Sequence, residues 1–204
     1  MTRPSIAVVD HGAGNLVSIA RGLERAGAEA RIATVPGQLA GADGVVLPGV
    51  GATATVMAGI RSGGFERPLQ RLQVPLFGIC VGMQVLFDLS HEDDTTGLGL
   101  IAGSVEPLLD PPTTPHIGWN QLEVAEDPLF DGVGEHPEVY FVHSFAPVPA
   151  DPSVVIARST HGSPFVAAVR RGPIVGTQFH PERSGPTGLT ILRNFVEAAM
   201  DRAA

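Results

Sequence analysis

Val74-Pro75-Leu76-Phe77-Gly78-Ile79-Cys80-Val81-Gly82-Met83-Gln84-Val85-Leu86-Phe87 decides how the rest of the chain is read. It opens as an apolar run entered through a proline, the pattern of a buried strand. It then passes through Gly78-Ile79-Cys80-Val81-Gly82 and continues from Met83 to Phe87 as a helix start. Strand, sharp turn and helix put Cys80, the only cysteine of the chain, at the apex. Gly-x-Cys-x-Gly is the thiol counterpart of the Gly-x-Ser-x-Gly nucleophile elbow. Glycines two residues to either side let other backbone approach a tight turn. A thiol at a helix N-terminus also meets the positive end of the helix dipole, which favours the reactive thiolate. A buried cysteine without such neighbours is an inert small hydrophobe. The flanking glycines decide against that reading.

An elbow needs a base, and Gly176-Thr177-Gln178-Phe179-His180-Pro181-Glu182-Arg183-Ser184 supplies a candidate. Ile174 to Phe179 reads as a strand. Pro181 holds His180 extended, so the side chains of His180 and Glu182 can project to one side. A histidine oriented by a carboxylate beside a thiol is the arrangement that activates a cysteine nucleophile.

The chain has 204 residues, long enough to bury roughly 70% of its unfolded surface without disulfides or metal. That length points to one domain over residues 1–204. One cysteine cannot form an internal disulfide, which fits a reducing compartment. No signal-like N-terminal region and no run long enough to span a membrane is found, so a cytoplasmic protein is expected. The formal charge of −8 argues against nucleic acid as a partner. All 13 basic residues are arginine. The absence of lysine excludes Schiff-base chemistry and a P-loop lysine. The seven histidines are scattered without metal-ligand spacing, so neither metal nor cofactor is expected.

Ser5 to Asp10 is a first buried strand, and Leu16 to Ala26 has helical periodicity ending at Gly27. Strands at 29–34 and 44–47 follow. Strands alternating with helices predict an α/β fold, a single-domain mixed and largely parallel sheet flanked by helices. Pro48-Gly49-Val50-Gly51-Ala52-Thr53-Ala54 imitates a dinucleotide fingerprint, but the acid expected at the end of the next strand is replaced by Cys80. Presenting backbone N–H groups to a developing oxyanion is the better use of these glycines. Pro111-Pro112 and Pro115 read as a loop leading to His116-Ile117-Gly118-Trp119-Asn120. Strands at 138–144, 154–157 and 165–169 read as an antiparallel portion. A last helix starts near Thr187. Trp119 is readable as core or as an exposed loop residue, His143 as an ordinary strand histidine or a site residue. His11 and His116 read as structural or surface residues.

Gly78-Ile79-Cys80-Val81-Gly82-Met83-Gln84 and Gln178-Phe179-His180-Pro181-Glu182 together resemble the two signatures of the class I (triad) glutamine amidotransferases. Asp10-His11-Gly12-Ala13-Gly14-Asn15-Leu16, Pro48-Gly49-Val50-Gly51, Pro115-His116-Ile117-Gly118-Trp119-Asn120 and Tyr140-Phe141-Val142-His143-Ser144 extend the resemblance over nearly the whole length. They are similar to one branch, the glutaminase subunits of imidazole glycerol phosphate synthases. The resemblance implies Cys80 as nucleophile, His180 as base and Glu182 as its orienting carboxylate. It implies an oxyanion hole from Val81 and the Val50-Gly51 backbone, and glutamine contacts from Gly49, Gln84, His143, Ser144 and Phe145. It implies a (β/α)8-barrel cyclase partner met by Asn15, Ile117, Trp119, Tyr140 and Arg183.

The family usually has Tyr at the positions of His11 and Phe145 and Lys at that of Arg183. Phe145 can still offer its backbone, and Arg183 keeps the charge on a planar fork. Two alternatives stay open: another triad amidotransferase, such as that of pyridoxal phosphate or anthranilate synthesis, and a non-catalytic binding subunit. Segments around Trp119 and Tyr140 argue against the first, the intact trio against the second.

Overall fold

The computed structural model describes residues 3–201. In chain order the strands are β1 (Ser5–Val9), β2 (Glu29–Ala33), β3 (Gly44–Gly49), β4 (Leu76–Cys80), β5 (Phe87–Ser90), β6 (Thr95–Thr96), β7 (Ile101–Pro107), β8 (His116–Gln121), β9 (Glu123–Val124), β10 (Glu138–His143), β11 (Phe145–Pro149), β12 (Val155–His161), β13 (Ser163–Arg171) and β14 (Ile174–Thr177). The helices are α1 (Leu16–Arg25), α2 (Thr53–Ser62), α3 (Glu66–Gln70), α4 (Val81–Gln84) and α5 (Gly185–Asp201).

An eight-stranded sheet runs β2-β1-β3-β4-β14-β13-β12-β9. Its first five strands are parallel and the last three antiparallel. Strands β3 and β4 are buried at every position, as strands covered on both faces must be. Successive side chains show the two layers. Phe77 packs on Phe195 of α5, ring centroids 5.1 Å apart. A Cβ on the next residue, Gly78, would lie 2.6 Å from the Gly82 carbonyl of α4. Helices α5 and α4 therefore lie on opposite faces of β4. Helix α1 presents buried Ile19 and Leu23 inward. It joins the α5 layer, where Gly22 lies close against Leu192. The expected mixed sheet flanked by helices is found.

A second, four-stranded sheet (β11-β7-β5-β6) and the β8–β10 pair sit beside the main sheet. Three local expectations need correcting. The helix after the elbow is a single turn, because Phe87 and Leu89 are taken into pairing with Ile101 and Ser104 of β7. The segment with Trp119 is a strand and no loop, since residues 116–121 pair one for one with 138–143. The last helix begins at Gly185, two residues earlier than expected.

Candidate active site

Strands β3, β4 and β14 are neighbours in the parallel part, and their carboxyl ends carry the candidate residues. Gly49 is in register with Cys80, and Thr177 with Ile79. Cys80 ends β4 with φ 55° and ψ −115°, a sparsely populated conformation for a residue with a side chain. Close packing holds it there. A Cβ on Gly82 would lie 1.9 Å from the Leu47 carbonyl oxygen, and one on Gly49 would lie 2.5 Å from the Gly82 nitrogen. Both glycines are thus required by the approach of β3 to the elbow. With α4 only one turn long, few aligned peptides stand behind the thiol. The activation expected from a helix dipole therefore falls largely to other groups.

His180 follows β14 in an extended conformation, φ −99° and ψ 96°, and Pro181 opens a short 3-10 turn containing Glu182. That turn brings Glu182 Oε1 to 2.9 Å from His180 Nδ1. The Glu182 side chain is wholly buried and that of His180 nearly so. His180 Nε2 has no hydrogen-bond partner within the protein. Burial alone would push the His180 pKa down. The sulfur of Cys80 and the carboxylate of Glu182 outweigh it and raise it to about 10. His180 therefore holds its proton readily when the neighbouring sulfur is a thiolate.

Val50, Gly51, Cys80, Val81, Gln84 and His180 border one cavity of about 70 Å³, together with Val142, His143, Ser144, Phe145 and Glu92. Strand β10 ties the machinery together through its backbone. The Tyr140 carbonyl accepts from the His180 N–H at 2.9 Å, Ser184 Oγ accepts from the Tyr140 N–H at 3.0 Å, and Cys80 Sγ lies 3.8 Å from the Val142 carbonyl.

Residues 7–199 match the family "Glutamine amidotransferase class-I". The chain belongs to this family. Imidazole glycerol phosphate synthase subunit HisH of Synechococcus sp. (strain JA-3-3Ab) is 50% identical over 200 residues, covering 94% of this chain and 93% of the relative. The same-named subunit of Halobacterium salinarum is 48% identical over 211 residues, with 97% and 95% covered. A solved structure described as a glutamine amidotransferase superposes with a TM-score of 0.74 at 25% identity, covering 95% of this chain and 98% of that one.

In this class-I glutamine amidotransferase the expected site residues divide into groups. Cys80, His180 and Glu182 lie together, with Val50, Gly51, Val81 and Gln84 around them. Gly49 stands one step back, packed on the elbow. His143 borders the cavity, but both its ring nitrogens are engaged inside the protein, with the Phe145 carbonyl at 2.8 Å and His116 at 3.0 Å. The Phe145 carbonyl already accepts from His143 and from Gln84, which fills both lone pairs and leaves none for a ligand.

Ile117, Trp119, Tyr140 and Val142 share the outer face of the β8–β10 pair. Trp119 is 56% exposed, Ile117 59%, and Trp119 meets Tyr140 edge to face at 6.2 Å. Trp119 is thus exposed although it lies on a strand. Arg183 is exposed on the turn beside it, and Asn15 opens α1. The two histidines read as structural or surface residues, His11 and His116, are both buried. His11 Nε2 lies 2.6 Å from the Pro48 carbonyl.

Glu92 and Gln178 escaped the sequence reading as site residues. Glu92 Oε2 accepts from the Thr53 N–H at 2.9 Å, at the start of α2, and the side chain borders the cavity. One acid in the polar run Glu92-Asp93-Asp94 carries no local signal that sets it apart from its neighbours. Gln178 lies next to the His-Pro-Glu segment and reads as an ordinary strand residue. Its complete burial is visible only in the fold.

Proposed function

We infer that this chain hydrolyses glutamine to glutamate and ammonia and passes the ammonia on in histidine biosynthesis, as the glutaminase subunit of imidazole glycerol phosphate synthase. The observation that carries the reading is the convergence of a strained, buried thiol with a carboxylate-bound histidine whose Nε2 is unpartnered. Cys80 Sγ gives its proton to His180 Nε2 and attacks the side-chain carbonyl of glutamine. His180 returns the proton to the leaving ammonia, and water then releases glutamate from the thioester. Glu182 fixes the imidazole and does not itself carry the proton. The N–H of Val81 and one from the Val50-Gly51 backbone meet the oxyanion. Gln84 and Ser144 hold the substrate, and Glu92 faces its ammonium group.

The partner is a (β/α)8-barrel cyclase docked on Ile117, Trp119 and Tyr140, with Asn15 and Arg183 at the rim. Released ammonia is useful only unprotonated, so it needs a dry path into that partner. The reading places the protein in the cytoplasm. Among the described residues no helix is long and apolar enough to cross a membrane. Glutamine-dependent and ammonia-dependent synthesis, measured with purified cyclase, tests the assignment. Cys80→Ala abolishes the first and leaves the second. Glutamine hydrolysis at the wild-type rate in that variant would end the reading.

A further inference from the structure

Two amide side chains, Gln84 and Gln178, are buried beside Cys80, with Gln178 wholly inaccessible. Burying an amide without partners costs several kcal/mol, so each polar end is informative. Gln178 Oε1 accepts from Gln84 Nε2 at 3.0 Å, and Gln178 Nε2 lies 3.7 Å from Cys80 Sγ. Gln84 Nε2 also donates to the Phe145 carbonyl at 3.1 Å.

These contacts allow one orientation only. If the Gln178 amide were turned over, its N–H groups would face those of Gln84. If the Gln84 amide were turned over, its oxygen would face both the Phe145 carbonyl and Gln178 Oε1. The Phe145 carbonyl is itself held by His143 Nδ1–H. His143 Nε2 then accepts from His116 Nδ1–H at 3.0 Å, and His116 Nε2 accepts from Asn120 Nδ2–H at 3.3 Å. Asn120 is oriented in turn by donating to the Thr160 carbonyl and accepting from the Gln121 N–H. Burial pushes His143 down to about 3 and His116 to about 4, so both rings stay neutral and every donor in the network keeps its direction.

We propose that Gln178 is a catalytic residue of this site, its amide N–H donating to Cys80 Sγ and, locked by Gln84, stabilising the sulfur as a thiolate before attack. The S–H bond breaks, the proton passes to His180 Nε2, and the electron pair stays on sulfur facing the Gln178 N–H. This role rests on Cys80 being the nucleophile. It supplies the activation that a one-turn helix does not. The other titratable groups near the sulfur are His180, Glu182 behind it, the neutral His143 and Glu92 at the cavity edge.

Because Cys80 is the only cysteine, alkylation of the full chain by iodoacetamide reads this one sulfur and needs no glutamine. Its rate is measured from pH 5 to pH 10 for wild type, Gln178→Met and Gln84→Met, each checked for folding by thermal unfolding. Gln178→Met keeps the bulk and removes the donor. Its rate at neutral pH falls about ten-fold, as for loss of one hydrogen bond to a charged group. The plateau at high pH is retained, so the profile moves to higher pH. Gln84→Met frees the Gln178 amide to turn over and moves the profile in the same direction by less. Unchanged profiles, or a lowered plateau with the midpoint unmoved, would overturn the proposal. If Gln178→Met does not fold, Gln84→Met and Gln178→Asn decide it by the same criterion. Loss of the Cys80 nucleophile assignment would show separately, as glutamine hydrolysis surviving Cys80→Ala.

Discussion

Glu182 and His180 face each other inside the protein, and their chemistry at this scale gives two expectations. In the proposed mechanism His180 moves the proton, whereas Glu182 only orients the ring. His180→Ala therefore lowers glutamine turnover about 10²-fold further than Glu182→Gln, the kind of gap seen between the base and the orienting acid of a triad. A costlier Glu182→Gln in steady-state assays would exchange the two roles. The second expectation concerns pH. The His180 pKa of about 10 lies above the ordinary 6.5. The folded state thus binds a proton that the unfolded chain has lost over the interval between them. The resulting stability is complete below pH 6.5, declines between 6.5 and 10 and is gone above 10. The stability difference between wild type and His180→Gln, read by urea unfolding, should shrink from pH 7 to pH 10, at up to about 1.4 kcal/mol per pH unit. A difference that grows over that range would place the proton elsewhere.

The β8–β10 pair is the element that joins an exposed surface to the candidate catalytic residues Cys80 and His180. Its outer face shows Ile117, Trp119, Tyr140 and Val142, and its inner face buries His116, Val139, Phe141 and His143. Trp119→Ala should weaken cyclase binding on the order of 30-fold, the effect of an aromatic hot spot of about 2 kcal/mol. The thermal midpoint of the free chain should hardly move, because the ring is mostly outside the core. Isothermal titration with the cyclase and thermal unfolding check the two halves. Unchanged binding would remove this face from the interface. The elbow was legible in the sequence because glycine spacing encodes a close approach directly. The strand character of residues 116–121 was not, because Pro115 and Gly118 look like loop residues and the pairing partner lies some 20 residues further on. The one-turn α4 was hidden for a similar reason, since Val85-Leu86-Phe87 suits a helix until β7 claims it. The His116–His143–Phe145 network depends on contacts across β8, β10 and β11 and leaves no periodic mark.

At the scale of the whole molecule, the proposed triad lies at the carboxyl edge of the parallel strands beside a cavity of about 70 Å³. Gly49 and Gly51 flank Val50, and Gly51 has φ +82°, so a peptide plane here can turn at low steric cost. We hypothesise that cyclase docking, with its own substrate bound, turns an N–H of this segment toward the oxyanion. One such donor is worth on the order of 10²–10³ in turnover. Steady-state kinetics of the free chain, the complex and the ligand-bound complex should show kcat rising by that order with KM little changed. Full turnover by the free chain, or activation confined to KM, would sink the idea. The bonds from β10 to His180, Ser184 and Cys80 are made by its main chain alone. Its outward side chains take no part in them. Descendants of such a protein can therefore rewrite residues 117, 119, 140 and 142 to suit a new synthase while inheriting the catalytic geometry intact. Choice of partner and chemistry of the thiol are free to evolve separately although β10 touches both.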